Sequence, residues 1–377
     1  MSAEPRTDPV PSTAEPHDRS GIGRRLRVGF ITHLDQHDDP AGILRDNVAL
    51  IRALEDLGYD SAWIATRHFH SGWAGLPSPF AFLGAVAQAT SRIHLGTAVL
   101  PLLVDDPIRD AEEVAVLDLL SGGRLQLGLG KGVPSDAYHV FERWAGQREA
   151  EFDAKVDQLL WGLGAPAIPD SRSSLWPRAQ ELLGRIYIGT SNRDTIRRAA
   201  RTGVGLVLER FGNTPFENSP EGRQSLLRRQ ADSLLDYRSE FRRTWGQTRS
   251  PYAVVSRSVW PGTAEEGAAV NARWYDYAAQ FSRAVPGRSP QDALLADNIV
   301  WGEPAELAAH LLADPAVTLS DELLLGIHPA HVSIEETVAR ARILVEEVVP
   351  LVTEGWLAAR GDLEARVDGW ELEAVTR

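Results

Sequence analysis

The stretch from Arg92 to Gly132 most constrains the fold of this chain, because it has the pattern of a strand, a helix and a second strand. Residues 93–99 are mostly apolar, as in a parallel strand buried on both faces. The helix can begin at Pro107, which needs no donor in a first turn, and Ser121-Gly122-Gly123 ends it, since glycine accepts the left-handed C-cap conformation. Alternating leucines then lead to Gly130-Lys131-Gly132. This turn offers backbone donors beside a positive charge and predicts an anion site.

The same alternation of strand and helix patterns continues along the 377 residues. Strands are predicted at 27–32, 61–65, 93–99, 125–130, 185–189, 204–209, 252–259 and 322–327. Helices are predicted at 43–57, 79–90, 108–120, 147–163, 193–202, 220–245, 264–284, 304–314 and 334–351. About eight such units predict an α/β fold, a single-domain (β/α)8 TIM barrel with insertions, whose active site lies at the carboxyl ends of the strands. A doubly wound sheet is disfavoured, because no Gly-x-Gly-x-x-Gly follows the first strand.

Composition and charge limit the domain organisation and the partners. We expect a disordered extension over 1–25, a barrel domain over 26–352 and a C-terminal tail over 353–377. A net charge of -13 argues against nucleic acid or an anionic membrane as partner. The absence of cysteine excludes disulfides, thiolate metal sites and a cysteine nucleophile. No apolar run reaches the roughly twenty residues of a membrane helix. We therefore expect a cytoplasmic protein that does not bind membranes.

A second anion-binding pattern occurs where the predicted strand 185–189 turns into a helix. The turn consists of small hydroxyl and amide residues, Thr190, Ser191 and Asn192, and Thr195 lies in the first helical turn. Backbone N–H groups and hydroxyls at a helix N-terminus bind anions readily. Ser191 or Asn192 could equally serve only as the helix N-cap, and the sequence leaves both roles open.

The central stretch also resembles a known family. Its Leu-Gly-Thr-Ala strand at 95–98, its Pro-Ile-Arg-Asp-Ala-Glu-Glu-Val block from Pro107 and its Leu-Gly-Leu-Gly-Lys-Gly turn at 127–132 are similar to the luciferase-like flavin-dependent monooxygenases. The resemblance runs for roughly forty residues without a gap. It implies an enzyme that takes reduced FMN from a separate flavin reductase, reacts it with O2 to form a flavin C4a-peroxide, and oxygenates a small organic substrate. It also implies a homodimer.

Several site residues follow from this resemblance. Lys131, Ser191 and Thr195 match positions that bind the FMN phosphate in the family. Residues Thr97, Ala98 and Val99 match the strand end that lies against the isoalloxazine ring, and a cis peptide bond is implied between the last two. Gly130 matches a position near the reactive edge of the flavin, where a glycine is expected to leave space for substrate or peroxide.

The sequence departs from the family at Arg67 and His68. Many members have Glu-His-His-Phe here, and the first histidine is the catalytic acid/base in luciferase. This chain keeps the second histidine, His68, but has Thr66 and Arg67 in place of the preceding pair. Arginine cannot act as a general base near neutral pH, so Arg67 is expected to stabilise an anionic flavin or to bind an acidic substrate. We predict His68 and Arg67 as the catalytic residues.

Three alternative functions remain open at this stage. A deazaflavin-dependent oxidoreductase of the same superfamily would transfer hydride instead of activating O2. A metal-dependent barrel hydrolase is suggested by the pair His68 and His70, but Gly189 and Arg210 occupy later strand ends where further metal ligands would be needed. We therefore predict no metal site. The third alternative is a flavin-binding protein without catalytic activity.

Overall fold

A computed structural model describes most of the chain. The described residues are 25–34, 39–69, 76–132, 136–142, 148–164, 167–168, 171–210, 222–270, 289–296, 298–327 and 332–376. The predicted disordered extension lies outside this set, apart from Arg25.

The described strands and helices alternate along the chain. The strands are β1 (Arg27–Thr32), β2 (Ser61–Ile64), β3 (His94–Thr97), β4 (Leu100–Pro101), β5 (Leu125–Gly130), β6 (Ile186–Gly189), β7 (Gly205–Leu208), β8 (Ala253–Pro261), β9 (Ile299–Gly302) and β10 (Glu322–Ile327). The first helices are α1 (Pro40–Leu57), α2 (Pro79–Ala89), α3 (Pro107–Leu120), α4 (Asp136–Val140), α5 (Arg148–Gly164), α6 (Arg193–Thr202) and α7 (Arg223–Trp245). Residues 264–270 are helical and are called α8. The later helices are α9 (Pro290–Ala296), α10 (Pro304–Leu312), α11 (Pro315–Leu319), α12 (Ile334–Ile343), α13 (Val349–Arg360) and α14 (Leu363–Thr376). A 3-10 helix covers Gln180–Arg185, and a π-helical turn, Leu344–Val348, joins α12 to α13.

Eight parallel strands close into a barrel, which confirms the predicted (β/α)8 fold. Neighbouring strands pair in the order β1, β2, β3, β5, β6, β7, β8 and β10, and β10 pairs with both β8 and β1. In the closing register, Leu323 lies opposite Val28 on one side and Val255 on the other. β4 pairs with the end of β5, and β9 pairs with the end of β8. The carboxyl ends of the eight strands therefore meet at one rim.

The amino-terminal half of the barrel interior is filled by side chains. Trp63, Tyr187 and Tyr252 pack there with neighbouring ring centroids 5.4 and 5.7 Å apart. The fully buried Glu322 accepts hydrogen bonds from the Tyr252 hydroxyl at 2.7 Å and the Trp63 indole N–H at 3.2 Å. Ser61 also donates to Glu322. This hydrogen-bonded layer closes the barrel from below, so an internal cavity can open only toward the carboxyl rim.

The central stretch folds as its sequence predicts. α3 begins at Pro107, and the side chain of Asp106 caps it by accepting from the N–H groups of Ile108 and Arg109 at 2.9 and 3.0 Å. The helix ends at Leu120, and the glycines of the Ser121–Gly123 turn both have positive φ. The order of strand, helix and strand is thus determined by local signals at both helix ends.

The described C-terminal region continues the packed structure beyond the boundary that we predict at residue 352. That boundary falls inside α13, whose Trp356 is fully buried and donates its indole N–H to the Ser320 carbonyl at 2.9 Å. α14 packs against α7, and Arg242 of α7 forms an ion pair with Asp368 at 2.5 Å. Within the described residues, no helix combines the length and apolar character needed to cross a membrane.

Candidate active site

A cavity of about 450 Å³ opens at the carboxyl rim of the barrel. Its volume is in the range of pockets that enclose a drug-sized organic molecule, roughly 300–1,000 Å³. The predicted site residues that line it are Arg67, His68, Ala98, Val99, Gly130, Lys131, Thr190 and Ser191. The other three predicted site residues, Thr97, Asn192 and Thr195, lie behind this lining. The structure thus brings eight of the predicted residues around one space.

Thr97 joins β3 to β5 beneath the cavity. It is fully buried, and its hydroxyl donates to the Gly128 carbonyl at 2.8 Å and accepts from the Gly128 N–H at 2.9 Å. A Cβ on Gly128 would lie 2.0 Å from the Thr97 carbonyl oxygen, so only glycine fits here. Thr97 therefore does not reach the cavity by its side chain. It holds the strand end from which Ala98 and Val99 continue.

The cavity floor is formed around the peptide bond between Ala98 and Val99, which is cis, as the resemblance implies. Val99 packs between two glycines of the neighbouring strands. A Cβ would lie 2.3 Å from a Val99 methyl if built on Gly130, and 2.8 Å if built on Gly189. Our expectation that Gly130 leaves space for substrate or peroxide is wrong, because the Val99 side chain occupies that space. The two glycines instead allow the floor to approach β5 and β6 closely.

The two predicted anion-binding patterns lie side by side at the ends of β5 and β6. Lys131 forms an ion pair with the Glu149 carboxylate of α5, and the Thr195 hydroxyl is 3.5 Å from the other Glu149 oxygen. Asn192 caps α6 by accepting from the Thr195 N–H at 3.0 Å, which is the structural role that the sequence leaves open. Thr190 and Ser191 line the cavity in front of this helix N-terminus. We call Lys131, Thr190, Ser191 and the N-terminus of α6 the anion cradle.

The glycine turn that carries Lys131 is held in place by side chains of α4 and α5. The Tyr138 hydroxyl donates to the Lys131 carbonyl, and Arg148 donates to the Gly132 carbonyl at 2.6 Å and to the Tyr138 hydroxyl at 3.0 Å. Gly132 has φ of 69°, a left-handed conformation that favours glycine. The Arg148 guanidinium also lies 5.0 Å from the centre of the Tyr138 ring. The turn therefore has a defined geometry.

His68 lies on the β2 side of the cavity in a partly apolar environment. Its ring packs edge-on against Phe141 with the centroids 5.1 Å apart. Its Nε2 atom is buried and has no hydrogen-bond partner among the described residues. Burial raises the pKa of the neighbouring Asp105, and electrostatic interactions with His68 and Lys155 oppose that rise. An imidazole nitrogen in this position can donate or accept a proton in the cavity.

Three arginines line the cavity near the ends of β2 and β7. Arg67, Arg210 and Arg229 line it together with Glu209 and His33. Burial raises the pKa of Glu209, although the three arginines oppose the effect. Burial, followed by the charges of Arg210 and Arg67, lowers the pKa of His33 to about 3. His33 is therefore neutral at physiological pH.

Several of these residues are not identified by sequence reasoning. Glu149 and Arg229 lie on helices, where a charged residue is usually only solvated, and nothing in the local pattern predicts that Glu149 contacts Lys131 or that Arg229 lines the cavity. Glu209 and Arg210 directly follow a predicted strand, and that position at a barrel rim is the signal that could have identified them. Of the pair that suggested a metal hydrolase, His70 lies outside the described residues. Within the described ranges, no group of three or more His, Cys, Asp or Glu side chains is arranged to hold a metal ion.

The comparisons with known proteins agree on one family. Residues 26–319 match the family model described as luciferase-like monooxygenase. The alkanal monooxygenase alpha chain of the Kryptophanaron alfredi symbiont is 31% identical over 191 residues, which is 48% of this chain and 52% of that protein. The 4-hydroxyprotoasukamycin monooxygenase of Streptomyces nodosus subsp. asukaensis is 37% identical over 104 residues, 27% of this chain and 28% of that protein. The chain thus matches about half or less of the length of these curated relatives.

Solved structures share the fold at low sequence identity. A monooxygenase from Streptomyces bottropensis has a TM-score of 0.71 at 20% identity and covers 86% of this chain and 99% of its own. The oxygenating constituent of 3,6-diketocamphane monooxygenase from Pseudomonas putida, solved in complex with FMN, has a TM-score of 0.65 at 17% identity, with 87% and 98% coverage. An F420-dependent secondary alcohol dehydrogenase has a TM-score of 0.60 at 17% identity, with 87% and 99% coverage.

Proposed function

This chain belongs to the luciferase-like monooxygenase family, and on that basis we propose that it is an FMN-dependent monooxygenase. It would receive reduced FMN from a separate flavin reductase and use O2 to oxygenate a small organic substrate. The observation that carries the proposal is the continuity of one cavity from the anion cradle at Lys131 to the side chains of His68 and Arg67. Such a cavity can hold a phosphorylated cofactor at one end and expose its reactive part to a proton-transferring residue at the other.

The anion cradle fits the phosphate group of FMN. Its donors are the ammonium group of Lys131, the hydroxyls of Thr190 and Ser191, and the N-terminus of the ten-residue helix α6. The helix dipole and the backbone N–H groups of its first turn favour a negative charge at this position. The Lys131 side chain is 19% exposed, so its interaction with a phosphate is less screened than that of a fully solvated lysine.

The cavity floor fits a flat ring system. Ala98 and Val99 line the floor, and Gly130 and Gly189 allow Val99 to pack closely against the ends of β5 and β6. Apolar side chains of neighbouring strands, including Val207 and Leu324, enclose the same space. A ring bound on this floor would be shielded from water on one face, which protects reactive intermediates from hydrolysis.

The chain's own residues have distinct tasks in this proposal. Bound reduced flavin supplies the two electrons that allow one atom of O2 to enter the substrate and the other to leave as water. The Nε2 atom of His68 can hold or release a proton beside the reacting atoms. Arg67 stays charged and stabilises negative charge in the cavity. Val104, Val207 and Leu324 exclude water from the apolar part.

A lysine substitution tests this proposal. Lys131→Gln should weaken FMN binding by about tenfold and leave riboflavin binding unchanged, because riboflavin lacks the phosphate and a charged hydrogen bond is worth roughly 1.5–3 kcal/mol. Both affinities are measured by fluorescence quenching, with Arg45→Gln as a control at an exposed site outside the cavity. Equal losses for FMN and riboflavin, or no loss for either, would contradict the placement of the phosphate at Lys131.

We also propose that the protein forms a homodimer through α2 and α3. These helices pack against each other, and α3 exposes the apolar side chains of Val116, Leu119 and Leu120. The neighbouring outer surface of α2 carries Ala81 and Ala85, whose small side chains allow close approach of another helix. Exposed contiguous apolar surface of this kind is typical of protein interfaces. The mass in solution, measured by light scattering, tests the proposal.

A further inference from the structure

A serine side chain of β8 faces the inner, mostly apolar end of the cavity. Side chains alternate between the two faces of a strand, and Tyr252 and Val254 belong to the apolar cluster inside the barrel. Ser256 continues this alternation, so its side chain also faces the interior, where it lines the cavity. In the register of the sheet it lies opposite Leu324 of β10, a fully buried residue that lines the same wall. The strand therefore places a hydroxyl group within an apolar wall.

The Ser256 hydroxyl forms no hydrogen bond within the part of the chain that the structure describes. The next inward-facing serine of the strand, Ser258, differs, because its hydroxyl accepts a hydrogen bond from Arg210 at 2.5 Å. Ser256 is only 7% exposed, so bulk water does not solvate its side chain freely. Burying a polar group without a partner is unfavourable, and such a group therefore indicates that a molecule in the cavity completes its hydrogen bonding.

Hydrogen bonds from Arg257 hold the backbone of β8 in place at Ser256. Arg257 donates from Nη1 to the Ser256 carbonyl at 2.7 Å and from Nη2 to the side-chain oxygen of Gln230 at 2.8 Å. Its Nε atom donates to the Asp314 carboxylate at 2.6 Å, and both members of this ion pair are buried. A side chain on a backbone that is fixed in this way has a defined direction, which a specific hydrogen bond to a ligand requires.

We propose that the Ser256 hydroxyl donates a hydrogen bond to an uncharged oxygen atom of the organic substrate. The apolar side chains of Ile31, Val207 and Leu324 line the same cavity and suit the hydrocarbon part of such a molecule. A charged group beside these side chains would be poorly solvated, whereas an uncharged oxygen needs only one donor. The substrate class is therefore a mostly apolar compound that bears a ketone, ester or ether oxygen. This inference rests on the proposed function, since it assigns a substrate contact in the same cavity.

Two pairs of volatile compounds with matched shapes test the inference without turnover. Cyclohexanone and methylenecyclohexane differ only in the replacement of the oxygen by a CH2 group, and acetophenone and α-methylstyrene repeat the comparison with an aromatic ring. Gas chromatography of the headspace above the full-length protein, with and without FMN, gives the affinity for each compound. Ser256→Ala should lower the ketone affinity relative to the alkene affinity about fivefold in at least one pair, the size expected of one neutral hydrogen bond. Ser174→Ala, at an exposed position outside the cavity, should leave both ratios unchanged.

The outcomes separate this inference from the proposed function. Ratios that Ser256→Ala leaves unchanged in both pairs would mean that the hydroxyl binds only water, and they overturn the inference. Failure of both ketones to bind, or an equal loss for ketone and alkene, also overturns it. If Ser256→Ala weakens FMN binding and leaves the ratios unchanged, the hydroxyl contacts the cofactor, so the inference is overturned while the proposed function stands. If the protein does not bind FMN but the ratio falls as expected, the Ser256 contact is supported and the proposed function fails.

Discussion

Glu149→Gln removes a negative charge that is paired with Lys131 of the anion cradle, and it should tighten the binding of FMN. In the structure the Glu149 carboxylate forms an ion pair with Lys131 and lies within 3.5 Å of the Thr195 hydroxyl. A phosphate that binds to Lys131 must therefore displace this carboxylate or bind beside it. Glutamine has nearly the same size and can still accept hydrogen bonds, so the substitution changes charge more than shape.

The size of the effect follows from the exposure of the pair. The side chains of Lys131 and Glu149 are 19% and 52% exposed, so the pair is partly screened by water. A pair of this kind is worth up to about 1 kcal/mol, and breaking it accounts for roughly fivefold in affinity. If the carboxylate stays about 4 Å from the phosphate, each charge of the phosphate adds roughly 1 kcal/mol of repulsion in water. We therefore expect FMN to bind about 5- to 30-fold more tightly.

A comparison of FMN with riboflavin isolates the charge effect. Riboflavin lacks the phosphate, so Glu149→Gln should leave its affinity within a factor of two. Titrations at pH 7.5 in low and high salt are informative, because the gain for FMN should shrink as salt screens the charges. Glu151→Gln on the same helix is the matched control and should change neither affinity. An unchanged or weakened FMN affinity in Glu149→Gln would show that Glu149 does not compete with the phosphate.

Three further predictions concern stability and assembly. Burial and, in addition, the charges of neighbouring acidic groups raise the pKa of Asp110 to about 8. The folded state therefore holds this proton more tightly than the unfolded state. The free energy of unfolding should fall as the pH rises from about 4 to about 8, by at most roughly 1.4 kcal/mol per pH unit. Thermal unfolding at pH 5 and pH 8 should show a smaller decrease for Asp110→Asn than for the unsubstituted protein, and an equal decrease would contradict the assignment. Gly128→Ala should lower the unfolding temperature by several degrees, because its Cβ would lie 2.0 Å from the Thr97 carbonyl oxygen. Gly84→Ala, in open space on a helix, should instead raise the free energy of unfolding by about 0.5–1 kcal/mol. Similar changes for both variants would show that steric contact is not the cause. Leu119→Lys should shift the mass in solution from dimer to monomer, and an unchanged mass would place the interface elsewhere.

Much of the barrel could be predicted because its signals are local. The eight barrel strands were identified from short apolar runs, and the bounds of α3 follow from a proline start and a glycine stop. β4 and β9 were missed because each is a short strand whose pairing depends on a distant partner, β5 or β8. The 3-10 helix Gln180–Arg185 and α9 fall in segments where the sequence analysis predicted almost no regular structure. Their proline and glycine content indicates turns, and only packing against the barrel gives them regular structure.

The site shows the same division between local and distant information. Lys131, Thr190 and Ser191 were predicted from their positions after strands, and the structure places them around one cavity. The contact between Glu149 and Lys131 joins residues on separate elements, and no local pattern encodes it. Whether space is free beside Gly130 also depends on a residue distant in the sequence, since the Val99 side chain occupies that space. Residue identity therefore predicts which groups reach the rim, whereas the three-dimensional packing determines what each group contacts.

The proposed FMN-dependent function is tested most directly by an anaerobic titration of the purified protein with reduced FMN and, separately, with reduced coenzyme F420, followed by rapid mixing of each complex with O2. We expect reduced FMN to bind tightly, and its reoxidation to begin with a phase that depends on the O2 concentration and precedes a slower return of oxidised FMN. Tight binding of F420 alone, with no reaction toward O2, would exclude the FMN-dependent monooxygenase and move the function to hydride transfer.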